Sequence, residues 1–229
     1  MKILAIETAT EACSAALLID GELSSRYQVQ PRMHSQLILP MMEELLAEAG
    51  IGLSSLDAIA FGRGPGAFTG VRIAVGVAQG VAFASDLPVV PISTLAALAQ
   101  RGYREYGFQR ILAAYDARMH EVYWGGYAVD AQGLVRPVMD ESVSAPDAVT
   151  LPEGVGWHGV GPGWGSYSAE LKLRIGEALG GETADLLCSA EDVALLGAAS
   201  FNAGEAVAAE YAQPVYLRDK VASKPRPKS

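Results

Sequence analysis

Two stretches hold the residues whose types and spacing could do chemistry. Gly62, Gly64 and Gly66 lie between a short apolar run, Ala58–Phe61, and a helix that opens near Thr69. A strand, a loop almost free of side chains and a helix N-terminus can together bring backbone N–H groups onto a phosphate, with the Thr69 hydroxyl as helix cap. The second stretch is Glu7-Thr8-Ala9-Thr10, at the end of the first apolar run, where hydroxyls and turn amides could hold another phosphate. Glu7, Thr8, Thr10, Gly64, Gly66 and Thr69 are therefore the candidate nucleotide-binding residues, and an ATP-dependent phosphotransferase or ATPase is the reaction class they would serve. Neither stretch matches a standard fingerprint. No Lys-Ser/Thr follows the loop, so it is not a Walker A motif. Ala67 stands where a dinucleotide fingerprint has its third glycine, and Asp86 falls before the next strand instead of at its end. The plainer reading of the glycines is a tight turn that lets helix and sheet pack closely.

The other chemistry-bearing residues are scattered. His34, His120 and His158 are widely separated, with no HxxxH or HExxH spacing, so no metal site is assigned and a metalloprotease is excluded. His34, just before a helix, reads as a surface or capping residue. No GxSxG occurs, and no Ser or Cys stands near an evident His base, which leaves nucleophilic hydrolysis without support. Asp116, Arg118 and Glu121 form a charged turn, read as turn chemistry. Cys13 and Cys188 show no metal or redox spacing and read as buried thiols in a reducing cytosol. No catalytic residue is assigned.

These residues must be positioned by an alternating α/β chain. Lys2–Glu7, Cys13–Asp20 and Leu23–Val29 read as three strands, the last two joined by a Gly21-Glu22 hairpin turn. A helix over Ser35–Gly50 follows, then the strand–loop–helix of Ala58–Ala84, a strand at Pro88–Val90 and a helix from Ser93-Thr94 to Arg101. The order β-β-β-α-β-α-β-α is that of a ribonuclease-H-like or actin-like half. Beyond it, Ile111–Tyr115, Glu121–Val129, Leu134–Val143 and Val155–Val160 read as strands. Tyr167–Leu179 and Ala190–Ala209 read as helices. The expected division is an N-terminal subdomain over 1–105, a smaller C-terminal subdomain with the final helix over 106–217, and a basic flexible tail over 218–229.

Composition narrows the partners. Half of the 229 residues are hydrophobic, enough for a substantial core, and the formal net charge is −9. That charge argues against a generic nucleic-acid surface. The basic residues Arg218, Lys220, Lys224, Arg226 and Lys228 gather at the end, so contact with RNA would run through a partner or that tail. Glu7 and Glu11 interrupt the apolar start, which fails as a signal peptide. No apolar run is long enough to cross a membrane. A cytoplasmic protein with no membrane partner is expected.

Two helical faces carry more apolar surface than one small core needs. On the first helix they are Leu37, Ile38, Met41, Met42, Leu45 and Leu46. On the second they are Ile73, Gly76, Val77 and Gly80. Between Val71 and Ala84 only Arg72 and Gln79 are polar, so the second helix wants neighbours on nearly every side. Core packing and a partner interface both fit that pattern.

Several segments taken together, ILAIETAT, RMHSQLILP, GRGPGAFTGVRIAVGVAQG, DARMHEVYW and PVYLRD, resemble the bacterial TsaB (YeaZ) family over essentially the whole chain. The resemblance implies an actin-like (ASKHA) fold of two ribonuclease-H-like subdomains, the second reduced. It also implies a non-catalytic subunit of the complex that transfers threonylcarbamoyl to N6 of adenosine 37 in tRNAs reading codons that begin with A. Such a subunit scaffolds and activates a catalytic TsaD-like paralogue and works with a TsaE-like ATPase. It meets tRNA indirectly through the complex and pairs with itself when alone. The family's pairing surface corresponds to the two helices above. Where the TsaD group has paired metal-binding histidines, only His34 stands here, followed by Ser35, Gln36, Leu37 and Ile38. No cofactor is fixed by the residues; ATP or ADP with Mg²⁺ at a subunit boundary is the one expectation left open.

Overall fold

A computed structural model describes residues 1–218; all of the expected basic tail except Arg218 lies outside the described residues. The first strand sets the layering. β1 (Lys2–Glu7) is buried on both faces, with Leu4 and Ile6 turned to one core and Ile3 and Ala5 to another. Period-two alternation of this kind, apolar on both sides, marks a strand covered by helices on each face. β2 (Ala12–Ile19) and β3 (Glu22–Val29) continue it as an antiparallel meander. α1 (His34–Glu48) then crosses over to β4 (Ala58–Gly62), and α2 (Phe68–Ala84) to β5 (Val89–Ile92), both strands parallel to β1. α3 (Thr94–Tyr106) closes the first half. The sheet order is β3-β2-β1-β4-β5.

The second half repeats that path. β6 (Arg110–Arg118), β7 (Glu121–Val129) and β8 (Val135–Pro137) form the meander, with β9 (Ser142–Ser144) also on β7. β10 (Trp157–Val160), α4 (Pro162–Ile175) and β11 (Leu179–Thr183) add the parallel pair, giving β11-β10-β6-β7-β8. The helix corresponding to α1 is replaced by a short turn at Pro146–Ala148. This is the actin-like α/β arrangement of two ribonuclease-H-like sheets, the second reduced.

The two halves are interlocked. α5 (Ala190–Asn202) packs back across β1, β2 and β4 of the first sheet, while α3 packs on β6 and β7 of the second. One core therefore lies between the sheets, built from Ile3, Ala5, Leu95, Leu98, Ile111, Ala113, Val193 and Ala194. A second core lies beneath α1 and α2, and a third beneath α4 around Trp124 and Trp164. The chain also returns to the first half after α5, where Val207 bridges Val89.

Several boundaries differ from the sequence reading. The expected Leu134–Val143 strand is two short strands on β7. α4 starts five residues earlier than expected, at Pro162, whose missing N–H is harmless in a first turn. β11, with the sequence LGGET, is a strand the glycines concealed. The last helix ends at Asn202, not Ala209, closed by Gly204 at φ 78°.

The glycines of α2 divide by environment. A Cβ on Gly70 would collide with the Thr8 carbonyl oxygen, whereas Gly76 and Gly80 have nothing within 4 Å. Gly70→Ala should therefore destabilise by about 3 kcal/mol. Gly76→Ala and Gly80→Ala should each stabilise the isolated chain by about 0.5–1 kcal/mol through helix propensity. Urea unfolding of the three variants checks both signs.

Candidate functional site

The first turn, Glu7–Thr10, and the start of α2 are joined backbone to backbone. Ala67 N–H donates to the Ala9 carbonyl at 2.8 Å, and the Thr8 hydroxyl donates to the Gly70 carbonyl at 2.7 Å. A Cβ on Gly66 would sit 2.7 Å from the Ala9 carbonyl oxygen, and one on Gly62 would strike the Glu7 carboxyl. The glycines are thus the condition for this close approach. The Gly64 amide is engaged too, donating to the Thr94 hydroxyl at 3.1 Å.

Between the two halves opens a cleft of about 920 Å³. Its walls are Ala9–Glu11 from the first turn, Pro65–Phe68, Val71 and Arg72 from the start of α2, and Tyr115–Met119 and Tyr123 from β6 and β7. Pro162 and Ser166 of α4 and Val215, Tyr216 and Arg218 of the C-terminal segment complete it. That segment straps the halves together. Val215 N–H donates to the Arg63 carbonyl at 2.8 Å on one side, and the Arg218 guanidinium bonds Glu121 and the Arg118 carbonyl on the other.

The β6–β7 turn at the cleft mouth is strained. Arg118, Met119 and His120 have φ of 62°, 57° and 58°, a left-handed run that costs non-glycine residues on the order of 1 kcal/mol each. Asp116 secures it, accepting from Arg118 N–H at 2.8 Å, the Arg118 guanidinium at 3.1 Å and the Tyr167 hydroxyl at 3.2 Å. The charged turn is turn chemistry, as its residues indicated.

Beneath the cleft lies a sealed polar cluster. Glu7 is fully buried; one carboxyl oxygen accepts from Ala9 N–H at 2.6 Å and the other has no partner. Burial, only partly offset by the hydrogen bonds of Ala9 and Thr8, raises its pKa from 4.5 to about 7. Burial likewise pushes the Tyr115 hydroxyl and the Cys188 thiol well above their ordinary ranges. Cys188 lies 4.0 Å from the Thr10 hydroxyl. Among the described residues, no group of three or more His, Cys, Asp or Glu is placed to hold a metal ion.

A second surface lies on the outer side of the first half. α1 and α2 cover the same face of the sheet and touch each other. The outer side of α2 presents Thr69, Gly76, Gly80 and Phe83, with Ile73 and Val77 half-buried beside them, and α1 adds exposed Leu39. Phe83 is 79 % exposed, a large apolar side chain with no cover in the described structure.

Comparison with known proteins fits this architecture. A profile of the family described as "TsaD: tRNA N6-adenosine threonylcarbamoyltransferase" matches residues 28–225. The tRNA threonylcarbamoyladenosine biosynthesis protein TsaB of Escherichia coli K12 is 44 % identical over 99 % of both chains. Its counterpart in Haemophilus influenzae is 38 % identical over 99 % of this chain and 98 % of the relative. The solved structure of YeaZ from Pseudomonas aeruginosa superposes with a TM-score of 0.88 at 52 % identity, covering 94 % of this chain and 99 % of that one. The chain belongs to the TsaB family.

Within this TsaB-family chain the sequence-derived candidates separate. Thr10 and Gly66 line the cleft, but Glu7 and Thr8 are buried beneath it and Gly64 is held by Thr94. Glu7, Thr8 and Gly64 thus take part in the packing of the first turn. Thr69 is exposed on α2 and does not cap it; the helix is entered from Ala67 with no side-chain cap. His34 is buried, not at the surface, and donates from Nε2 to the Thr10 carbonyl at 2.8 Å. Of the expected interface residues, Ile38, Met41, Met42, Leu45 and Leu46 face the sheet and are core, because the apolar stripe of α1 is the one it buries. Leu37, Ile73 and Val77 are half-buried, and only Gly76 and Gly80 are fully open. Sequence pattern does not single out Phe83, Arg72, Met119 and Tyr216; the signal for Phe83 is its position, seven residues after Gly76 on the same stripe.

Glu7 generates a pH prediction. Because its pKa is raised on folding, the folded state binds the proton more tightly than the unfolded chain. Its stabilising contribution is full below pH 4.5, declines as pH rises, and is lost above about pH 7. Glu7→Gln should therefore be more stable than the parent at pH 8 by about 3 kcal/mol and nearly equal at pH 4.5. Urea unfolding across that range tests it; equal pH slopes would exclude a titrating Glu7.

Proposed function

We propose that this chain is a subunit of a tRNA threonylcarbamoyladenosine-forming complex, in which it scaffolds a catalytic TsaD-like paralogue instead of performing the transfer itself. The observation that carries the reading is the outer side of α2. Gly76 and Gly80 are four residues apart, one turn of the same stripe, with open space where their Cβ atoms would be. Two exposed glycines weaken a helix, and nothing among the described residues requires them. A partner helix approaching closely does require them, as small residues do wherever two helix backbones come near. Phe83 and the half-buried Ile73 and Val77 supply the apolar flank of that contact. Relatives named for tRNA threonylcarbamoyladenosine biosynthesis support a role in tRNA modification.

The face is small enough to test with surface variants. Gly80→Leu fills the space a partner backbone would occupy, and Phe83→Asp sets a charge in a contact emptied of water. Each should lower affinity for the TsaD-like partner at least about 100-fold, roughly 3 kcal/mol, with the circular dichroism spectrum of the isolated chain preserved and its thermal midpoint not lowered. Co-purification and calorimetry of both variants decide the matter. Undiminished binding to the partner would overturn the scaffold reading. Light scattering of the isolated chain separates homodimers on the same face from the heterodimer.

A further inference from the structure

The segment after α5 belongs to the first half for most of its length. Ala209 and Ala212 are buried in the core beneath α1 and α2, and the Ala212 carbonyl accepts from the Gln79 side chain at 2.9 Å. Val215 N–H is held by the Arg63 carbonyl at 2.8 Å, and the Tyr216 ring lies 6.1 Å from that of Phe68. Two residues later the chain has changed sides. The Arg218 guanidinium bonds the Glu121 carboxylate and, at 3.3 Å, the Arg118 carbonyl, both at the β6–β7 turn. Its Nη1 also lies 3.8 Å from Met119 Sδ. One side chain therefore grips three residues of a turn that Asp116 and Tyr167 already hold in place.

We propose that this strap is a clasp, anchored in the first half, whose Arg218–Glu121 pair sets how widely the two halves stand apart. Among the described residues the facing walls of the cleft exchange no hydrogen bond or ion pair directly, so the strap is their bonded connection at the mouth. Below, the halves join continuously through the sealed cluster and the core of α3 and α5, which leaves the mouth as the end free to widen. A contact at the mouth acts far from that joint, where a small rotation gives the largest separation. The pair is also sheltered. The Arg218 side chain is 15 % exposed and that of Glu121 36 %, so salt and solvent screen them less than a fully exposed pair. Arginine suits the position because its planar fork can hold a carboxylate and a carbonyl at once. The clasp does not depend on the partner reading, because both of its ends lie in one chain.

The test reads the separation of the halves in the isolated full chain. Cys13 and Cys188 are buried, so spin labels go onto Thr69→Cys of α2 and Ala169→Cys of α4, both exposed positions. Pulsed electron–electron resonance, with labelled chain diluted in unlabelled chain, then gives the distance between the halves. The expected parent result is one narrow distribution. Arg218→Glu and Glu121→Arg should each lengthen and broaden it, by more than about 2 Å, and the two combined should restore the parent distribution. Arg218→Gln supplies a milder break should the reversed charges disturb folding, and it should lengthen the distance too. Hydrogen exchange at the Val215 amide should stay as slow in the single variants as in the parent, because its bond to Arg63 is untouched. Distances unchanged by every single substitution would overturn the clasp, as would a broadening that the double variant fails to reverse. Loss of Val215 protection in the single variants would show the strap detaching as a whole, and would overturn it equally.

Discussion

The backbone-to-backbone contact between the first turn and the start of α2 is the constraint on which the rest depends. Thr8 and Ala9 run so close to Gly66 and Gly70 that neither glycine can carry a side chain. This fixes where α2 leaves the sheet, hence which of its sides is buried and which faces out. It also fixes one wall of the cleft, because Ala67, Phe68, Val71 and Arg72 follow directly from it. In a loop held this way the Ala67 amide is occupied by the Ala9 carbonyl and the Gly64 amide by the Thr94 hydroxyl. The same glycines that suggest a phosphate cradle therefore also serve packing.

The cluster below the turn obeys a related balance. An ionised Glu7 in that position would face a desolvation cost of several kcal/mol. The backbone hydrogen bonds of Ala9 and Thr8 to the ionised form return on the order of 1–3 kcal/mol. Desolvation wins, so the acid holds its proton to near neutrality. With Tyr115 from the second half and Cys188 from the segment leading into α5, it forms a polar junction where the halves meet, among groups that all prefer to be neutral. Around it, α3 and α5 are exchanged between the sheets, so neither half could separate without exposing the central core. The C-terminal strap, tied to Arg63 on one side and to Glu121 on the other, adds a second bridge across the cleft.

Much of this was legible in the residues, for identifiable reasons. The first half is made of long, strictly periodic segments with clear punctuation, and its five strands and three helices stand close to where the pattern places them. The second half gives short strands and glycine-rich joints, so β11 and the true start of α4 could not be read from periodicity. The site divides in the same way. Periodicity shows that α1 has an apolar stripe but cannot say whether a sheet or a partner covers it, and Met41, Met42 and Leu45 proved to be core. His34 was misjudged because its partner, the Thr10 carbonyl, is 24 residues away. The cleft mouth depends on side chains from four distant segments, which no local pattern reports.

The two surfaces meet on one helix. The first turn of α2 carries Phe68 and Arg72 into the cleft, while its middle and end carry Gly76, Gly80 and Phe83 to the outer face. The inner side of the same helix is pinned by Val71, Ala74, Val75 and Ala78 on the sheet, and Gln79 holds the Ala212 carbonyl at 2.9 Å at the base of the strap. A close-packed helix of this kind moves as a unit or not at all. One helix therefore supplies both a wall of the cleft and the glycine stripe, with no intermediate element between them. The close fit at Gly70 makes the start of the helix its most tightly held point.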